Sequence, residues 1–204
     1  MKKTIYFVRH AQSRPSHSLP TAQWPLSTNG MIQANQLVDV LTTLGIEQVF
    51  SSPYLRCLQT IGPFSRHSDL PIEQRDDLHE VEIIKELRND FSEIWTRAWD
   101  DFDFALPECE SHGHAQRRFL NATKSVLLES RGDTIAICAH GAVIGLLLHA
   151  IEPGSGREQA DALTNPDILR IITDDEIWRW DRTFQLPGLS NIISHHAETP
   201  IDWE

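Results

Sequence analysis

Thr4-Ile5-Tyr6-Phe7-Val8-Arg9-His10 is the stretch that decides the fold of this chain. Its first five residues form an uninterrupted run of largely apolar β-formers, which is typical of a strand buried on both faces of a parallel sheet. Arg9 and His10 follow this run directly. Since open α/β sheets bind their ligands at the carboxyl ends of the strands, these two polar residues stand where a binding site is expected.

Helical patterns and a second strand follow along the chain. The stretch Leu26-Ser27-Thr28-Asn29 offers capping residues to a helix that ends at Gly45. The apolar residues of this helix share one face: Ala34, Leu37, Val38, Leu41 and Leu44. Residues 46–50 predict the second strand, and Pro53 predicts the first turn of a second helix. The order strand, helix, strand, helix predicts an α/β protein.

Further elements are predicted in the second half of the chain. Ser111 is expected to cap a helix. One face of that helix is apolar: Ala115, Phe119, Ala122 and Val126. Residues 134–139 are the most apolar strand candidate, and the helix after Gly141 is apolar all round, which indicates burial. Residues 177–180 and 191–194 are short apolar or alternating runs, and we predict that they form more exposed strands.

The charge of the chain is strongly negative and unevenly distributed. Its 18 Lys and Arg residues against 29 Asp and Glu residues give a net charge of −11. Thirteen acidic and four basic residues lie between Glu73 and Glu110. A field of this sign repels polyanions, so we expect no nucleic-acid partner. We predict a single domain over residues 1–204, with an acidic, largely helical excursion at about residues 70–110 over the functional site, because about forty residues are too few for a separate core.

Cysteine usage and hydropathy bear on location. The chain has three cysteines, Cys57, Cys109 and Cys138, and no C-x-x-C pair, which is typical of reduced thiols in the cytoplasm. No apolar stretch reaches the length of about 18 residues that a membrane helix needs. The apolar run at residues 4–8 is too short for the core of a signal peptide. We therefore expect a cytoplasmic protein without a membrane partner.

Polar residues recur after three of the predicted strands. Arg9 and His10 follow the first strand, Arg56 follows the second, and His140 follows the strand at residues 134–139. Helices that begin at this edge add backbone N–H groups and the positive end of a dipole, which favour an anion. Guanidinium groups bind phosphate oxygens in pairs, and a histidine supplies a nucleophilic nitrogen. The pattern predicts a phosphate ester as the ligand.

Several motifs, taken in order, resemble the histidine phosphatase superfamily (phosphoglycerate mutase-like), whose signature is Arg-His-Gly. The matching residues are Arg9-His10-Ala11, Pro25-Leu26-Ser27 with Gly30, Gln33 and Ala34, Ser51-Ser52-Pro53 with Arg56, Gln59 and Thr60, Leu78-His79-Glu80, Glu110-Ser111 with Arg117, and Ala139-His140-Gly141. The resemblance covers residues 4 to about 150. It implies a three-layer α/β/α sandwich with a mostly parallel central sheet.

The resemblance also implies roles for individual residues. His10 would attack phosphorus and become a transient phosphohistidine, while its second ring nitrogen donates to a backbone carbonyl. Glu80 would protonate the leaving oxygen, with Glu82 as the alternative. Three residues would clamp the phosphoryl oxygens: Arg9, Arg56 and His140. Water would then hydrolyse the phosphohistidine, with no metal or other cofactor required.

Three features depart from the family pattern. Ala11 replaces the usual glycine after the nucleophile, which restricts the backbone there. Ser16 stands where many members carry an asparagine that contacts the phosphate, and a serine hydroxyl supplies one donor at shorter reach. The glycine-and-aromatic segment that usually follows the acid is missing. We expect Ser16 to take part in phosphate binding.

Two further sets of polar residues have simpler interpretations. Arg117 and Arg118, on a predicted helix, are interpreted mainly as a solvent-exposed face. The histidines that suggest a metal are His112, His114, His195 and His196. They lack the spacing of known zinc motifs and matched cysteine ligands, so we expect no metal site.

Three functions are compatible with this sequence. The acidic excursion favours a phosphatase that acts on a small-molecule phosphate monoester, and like-charge repulsion disfavours heavily phosphorylated substrates. The first alternative is phosphoglycerate mutase-type phosphoryl transfer, which uses the same residues around the phosphate. The second is a phospho-ligand-binding protein with weak catalysis, which the changes at Ala11 and Ser16 leave open. No sequence feature specifies the oligomeric state.

Overall fold

A six-stranded sheet forms the centre of the computed structural model, which describes residues 2–86, 88–174 and 177–194. The strands are β1 (Lys2–Arg9), β2 (Gln48–Ser51), β3 (Ile72–Gln74), β4 (Thr134–Ala139), β5 (Asp167–Asp174) and β6 (Ile177–Trp180). Their spatial order is β3-β2-β4-β1-β5-β6. The first four strands pair in parallel, whereas β5 and β6 pair antiparallel. The predicted mostly parallel sheet is confirmed.

Helices cover both faces of this sheet. They are α1 (Thr28–Thr42), α2 (Leu55–Ser68), α3 (Phe91–Asp100), α4 (His112–Glu129), α5 (Gly141–Ile151), α6 (Arg157–Ala162) and α7 (Leu189–Ser194). Alternate residues of β1 face two apolar cores, Ile5 and Phe7 in one and Tyr6 and Val8 in the other. The first core includes α3, α4 and α5, and the second includes α1, α2 and α7. The predicted three-layer α/β/α architecture is therefore confirmed.

Side-chain caps fix the starts of two helices. The Ser27 hydroxyl oxygen accepts from the Gly30 backbone nitrogen at 3.0 Å, and that of Ser111 accepts from the His114 nitrogen at 3.2 Å. Both predicted caps are confirmed. The start of the second helix differs, since α2 begins at Leu55 and Pro53 lies just before its first turn.

The end of the chain differs from the prediction. Residues 177–180 form the predicted strand, but residues 191–194 belong to helix α7, which packs Leu189 and Ile192 into the second core. A run of four residues is too short for its periodicity to separate helix from strand. The sequence analysis also missed β5, which pairs along the whole of β1.

The acidic segment at residues 70–110 is less helical than expected. It contains β3, a one-turn 3-10 helix at Asp76–Leu78, and α3. Its other described residues form turns and loops. Helix α3 packs Ile94 and Ala98 into the first core, which ties the segment to the rest of the molecule. Within the described part of the chain, no helix has the length and apolar character needed to cross a membrane.

Candidate active site

His10 follows β1 directly, and its contacts determine which ring nitrogen carries the hydrogen. Its Nδ1 lies 2.8 Å from the carbonyl oxygen of Ala11, a group that only accepts. Its Nε2 lies 3.1 Å from Nε of Arg56, a group that only donates. The ring therefore has its hydrogen on Nδ1 and an electron pair on Nε2. The nitrogen that carries the electron pair, Nε2, therefore faces a guanidinium group.

The surroundings of His10 keep its ring neutral. Burial lowers the pKa of His10 well below the usual value of 6.5, and the positive charges of Arg56 and Arg9 lower it further. The hydrogen bond to the Ala11 carbonyl opposes this shift without cancelling it. Only a neutral imidazole can act as a nucleophile, and the site holds His10 in that state.

Arg56 lies in the first turn of α2 and is 5% exposed. Besides its bond to His10, it donates from Nη1 to the Thr21 carbonyl oxygen at 2.7 Å. Its guanidinium carbon lies 4.9 Å from the centre of the Tyr54 ring. These contacts hold a permanently charged group beside His10.

Arg9, the last residue of β1, lies against the first turn of α5. Its Nη1 donates to the Leu163 carbonyl oxygen. A Cβ atom on Gly141 would lie 3.0 Å from the guanidinium carbon, so the glycine provides the room that this side chain occupies. Burial lowers the pKa of Arg9, while the carboxylates of Glu80 and Asp167 act in the opposite direction. A second guanidinium group is thus placed close to His10.

His140 occupies the position before the first residue of α5 and is completely buried. Its Nε2 lies 2.8 Å from Oγ of Ser52, a residue at the carboxyl end of β2. The centre of its ring is 5.3 Å from that of His10. Burial, followed by the charge of Arg56, lowers the pKa of His140 well below 6.5. The site therefore holds two neutral imidazole rings near each other.

Glu80 caps the N-terminus of α5. Its Oε2 accepts from the Ala142 nitrogen at 3.2 Å, and its Oε1 accepts from the Val143 nitrogen at 3.1 Å. Oε1 also accepts from the Val81 nitrogen at 2.9 Å. The carboxyl group thus contacts the backbone two residues after His140. It also lies at the edge of a cavity of about 850 Å³ that Arg56 lines as well.

Glu82, the alternative acid, is engaged in other contacts. It accepts from Nζ of Lys85 at 2.6 Å and from the Tyr54 hydroxyl at 3.2 Å. The hydrogen bond from Lys85 holds the pKa of Glu82 below the usual 4.5. A carboxylate that is paired in this way is a poor proton donor near neutral pH, which argues against Glu82 in that role.

Arg118 does not belong to a solvent-exposed face, contrary to the prediction. Its Nε and Nη2 donate to the two carboxylate oxygens of Glu110 at 2.9 and 2.6 Å. Its Nη1 donates to the backbone carbonyls of Asp77 and His79 at 2.9 and 3.0 Å. These bonds fix the backbone just before Glu80. Sequence spacing carried no signal for a contact that joins three separate segments.

The two residues that depart from the family pattern behave differently in the structure. Ser16 lines the cavity, but its hydroxyl oxygen lies 2.8 Å from that of Ser18 in the same loop. Ala11 is buried, and its nitrogen donates to the Thr60 hydroxyl at 2.9 Å. Among the described residues, the non-glycine positions with a positive φ are Asp69 and Glu108, so Ala11 does not adopt that conformation. Alanine therefore fits at position 11 without backbone strain.

Asn165 is a site residue that the sequence analysis missed. Its Nδ2 donates to the His10 carbonyl oxygen at 2.7 Å and lies 3.4 Å from Nδ1 of the same residue. Nε2 of Gln33 donates to the Asn165 carbonyl at 2.8 Å, which links the loop before β5 to α1. The available signal was the Asn165-Pro166 dipeptide, which marks a turn. Its place beside His10 depends on β5, which was not predicted.

The described histidines that were considered for metal binding, His112 and His114, belong to no metal-binding cluster. Among the residues that the structure describes, no group of three or more His, Cys, Asp or Glu side chains could hold a metal ion. His112 is buried, whereas His114 is exposed and lies 2.8 Å from a Glu110 oxygen. His195 and His196 lie outside the described residues.

The class of protein follows from the chemistry at this edge of the sheet. A neutral imidazole beside two guanidinium groups and a helix N-terminus is suited to accepting and releasing a phosphoryl group. The model of the histidine phosphatase superfamily (branch 1) matches residues 5–185. This chain belongs to that family, as its motifs predict. Membership indicates phosphatase or phosphoglycerate mutase-like activity.

Individual relatives are similar to this chain over most of their length. The chain is 25% identical to the uncharacterized phosphatase PhoE of Bacillus subtilis (strain 168) over 155 residues, which are 76% of this chain and 79% of that protein. YhfR of Bacillus stearothermophilus has a TM-score of 0.76 at 20% identity, covering 92% of this chain and 99% of that one.

Two further solved structures share the fold. A mycobacterial glucosyl-3-phosphoglycerate phosphatase, in complex with VO3, has a TM-score of 0.74 at 18% identity, covering 88% of this chain and 97% of its own. A phosphoglycerate mutase from Bacillus anthracis str. Sterne has a TM-score of 0.72 at 17% identity, covering 95% and 96%. The same fold therefore occurs in a phosphatase and in a mutase.

Proposed function

We propose that this protein is a phosphatase that hydrolyses a small-molecule phosphate monoester through a phosphohistidine on His10. The observation that carries the proposal is the electron pair on Nε2 of His10, which follows from the bond between Nδ1 and the Ala11 carbonyl. Arg9 and Arg56 lie close enough to lower the pKa of His10. The positive charges of both guanidinium groups would therefore stabilise the oxygens of a phosphoryl group bound at Nε2.

In the first step, Nε2 of His10 forms a bond to phosphorus while the bond between phosphorus and the ester oxygen breaks. Three groups stabilise the phosphoryl oxygens: Arg9, Arg56 and His140. Glu80 transfers its proton to the ester oxygen, which leaves as an alcohol. The products of this step are the phosphohistidine, the free alcohol and an ionised Glu80.

In the second step, water attacks the phosphorus of the phosphohistidine. The bond between phosphorus and Nε2 breaks, and its electron pair returns to the ring of His10. Glu80 accepts the proton that the water loses, and inorganic phosphate departs. The arginines and the N-terminus of α5 supply the positive charge, so neither step requires a metal ion or another cofactor.

Two features support hydrolysis over mutase-type transfer. The cavity beside Glu80 is partly open to solvent, which gives water access to the phosphohistidine. Two cations that line it, Lys85 and Arg88, are paired with Glu82 and Asp90 at 2.6 and 2.8 Å. A mutase needs positive charge to hold the second charged end of its substrate, and these cations are already matched.

Phosphate release from p-nitrophenyl phosphate in the presence of a chelator tests the proposal. We expect His10→Ala to lower kcat by at least about a thousandfold, because the nucleophile is lost. His67→Ala is the matched control, since His67 is exposed on α2 outside the cavity. It should keep the wild-type rate.

A second measurement identifies the intermediate. Quenching the enzyme with radiolabelled ester should trap an acid-labile label on the wild-type protein and none on His10→Ala. Turnover unaffected by His10→Ala, or a label on another side chain, would overturn the proposal. Production of 2-phosphoglycerate from 3-phosphoglycerate with a priming bisphosphate, faster than phosphate release, would assign the protein as a mutase instead.

A further inference from the structure

We infer that the preferred substrate of this site is a phosphate monoester of a bulky aromatic or otherwise apolar alcohol, which the aromatic side chains of the cavity hold. The inference rests on the proposed function and adds the chemical class of the leaving group. It is carried by the size, the lining and the charge balance of the cavity that Arg56 and Glu80 border.

The size of the cavity exceeds the needs of a small metabolite. Its volume of about 850 Å³ lies toward the upper end of the range of roughly 300–1,000 Å³ that holds drug-sized ligands. A three-carbon phosphate ester would leave most of this space to water. A larger alcohol would bury apolar surface there, and the gain in binding energy scales with that surface.

The lining of the cavity is aromatic and aliphatic beyond the phosphate end. Four aromatic residues line it: Trp24, Tyr54, Phe91 and Trp95. The rings of Phe91 and Trp95 stack at 6.1 Å with an angle of 21°. Phe91 is 41% exposed and Leu19 is 40% exposed, so large apolar side chains face the open space. Such surfaces on a soluble protein mark binding sites.

Two of these aromatic rings are held in position by their polar atoms. The indole nitrogen of Trp24 donates to the carbonyls of Ser16 and Leu19 at 3.0 and 3.1 Å. That of Trp95 donates to Oδ1 of Asp161 at 3.0 Å. The indole N–H groups are therefore already satisfied, and the apolar ring faces are left to contact a ligand. Preorganised apolar walls of this kind bind a ligand at a smaller entropic cost.

The charge of the cavity argues against a second anionic group on the substrate. Its lining cations are Arg56, Lys85 and Arg88, and its lining carboxylates are Glu80, Glu82 and Glu86. Lys85 and Arg88 are each paired with a carboxylate, Glu82 and Asp90 respectively. One phosphate bound near Arg56 and an uncharged remainder match this arrangement.

The test compares two esters whose leaving phenols have similar acidity, phenyl phosphate and 1-naphthyl phosphate. This choice separates the size of the leaving group from its reactivity. We expect kcat/KM for the naphthyl ester to exceed that for the phenyl ester by about tenfold, from the apolar surface that the second ring buries. In Phe91→Ala and in Trp95→Leu, this ratio should fall toward one.

Leu128→Ala serves as the control, because Leu128 is 87% exposed on α4 and does not line the cavity. It should keep the wild-type ratio. Quenching of tryptophan fluorescence by each ester on His10→Ala measures binding without turnover, and the naphthyl ester should bind more tightly there as well. This second readout holds even where a cavity variant folds poorly.

The outcomes separate this inference from the proposed function. Equal kcat/KM values and equal binding of the two esters, with His10-dependent hydrolysis of both, would overturn the inference and leave the phosphatase standing. Equal loss for both esters in the cavity variants would do the same. Absence of His10-dependent hydrolysis of either ester would instead reject the proposed function.

Discussion

At His10, the neighbours set the charge of the ring. Burial and the two nearby guanidinium groups make protonation unfavourable, and the Ala11 carbonyl fixes the hydrogen on Nδ1. In the proposed mechanism, the same arginines that would bind a phosphoryl group thus also keep the nucleophile neutral. This dual role leads to a dependence on pH that can be measured.

Replacing Arg56 with methionine should move the acidic limb of the kcat/KM profile to higher pH. The charge of Arg56 lowers the pKa of His10, so its removal raises that pKa, and the attacking neutral form is lost earlier as pH falls. The value of kcat/KM should also drop by at least about a hundredfold, because a phosphoryl contact is lost. The phosphate group of the ester also titrates, at about pH 6, but it does so equally in the profiles of both proteins.

Arg66→Met is the matched control for this change, since Arg66 lies on the same helix and is exposed. Its profile should coincide with that of the wild type. An acidic limb that stays in place in Arg56→Met would mean that the charge of Arg56 does not govern His10.

The Glu80→Gln variant should distinguish esters by their leaving groups. Glutamine keeps an oxygen that can accept from the first turn of α5, but it has no proton to donate. Alkyl esters, whose leaving oxygens need that proton, should lose about 10²–10⁴-fold in kcat, and p-nitrophenyl phosphate much less. Glu82→Gln should affect both classes of ester alike. Equal losses for both classes in Glu80→Gln would place the acid elsewhere.

Single residues were predictable where each one followed a predictable strand. Arg9 ends β1, and His10 and His140 directly follow β1 and β4, so the position of the strand gave the position of the side chain. Asn165 and Arg118 reach the site from segments distant in sequence. Neither the hydrophobic periodicity nor the spacing of motifs in the sequence encodes such contacts.

At the scale of elements, the contact between α1 and the loop after His10 sets the shape of the site. The Gln12 carbonyl oxygen accepts from the Ser27 nitrogen at 2.9 Å. A Cβ atom on Gly30 would lie only 2.0 Å from that same oxygen. The first turn of α1 therefore approaches the backbone two residues after the nucleophile as closely as a glycine permits.

Gly30→Ala should destabilise the protein by about 1–3 kcal/mol, because the backbone of Gln12 must move to relieve the overlap. It should also lower kcat, since that movement is transmitted to His10. Urea unfolding and phosphate release measure the two effects. In Gly62→Ala on α2, the added atom would meet only the movable Nη1 of Arg66, at 3.2 Å.

For this control we expect no loss, or a gain of up to about 1 kcal/mol from better helix propensity. Gly30→Ala with wild-type stability would show that the loop after His10 yields without cost. The comparison separates a general effect of alanine from the specific contact.

The elements themselves were predictable in proportion to their length and burial. Strand β4 has the predicted bounds, and the four predicted face residues of α4 are all buried. The four-residue run at 191–194 lacked the length to show a helical period and was assigned wrongly.

At the scale of the whole molecule, composition predicted the sign of the charge and not the shape of the cavity. The acidic excess disfavours polyanionic ligands, as the balanced lining of the cavity does too. The shape of the cavity depends on how the loop that carries Trp24 and the helix that carries Phe91 come together to line it. That arrangement is tertiary, and no local pattern contains it.

Buried neutral histidines make the stability of the molecule depend on pH. Burial lowers the pKa values of His10 and His140, and it lowers that of His112 to about 4 against the opposing effects of Glu110 and the Ala98 backbone. The unfolded chain binds protons at these positions as pH falls below about 6.5, and the folded chain does not. The free energy of unfolding should therefore decrease below that pH, well before the carboxylates titrate.

The His112→Phe variant should lose less stability on acidification than the wild type. The ring of His112 lies among those of Trp95, Trp99 and Phe102, with centroids 5.4, 5.0 and 5.9 Å away, so phenylalanine can pack in its place. Its lowered pKa corresponds to a loss of about 2 kcal/mol at about pH 5 relative to neutral pH. Urea unfolding at the two pH values should show that difference between wild type and His112→Phe.

His17→Gln, a change at an exposed residue, should lose as much stability on acidification as the wild type. Equal losses in all three proteins would mean that folded His112 accepts its proton as readily as the unfolded chain does.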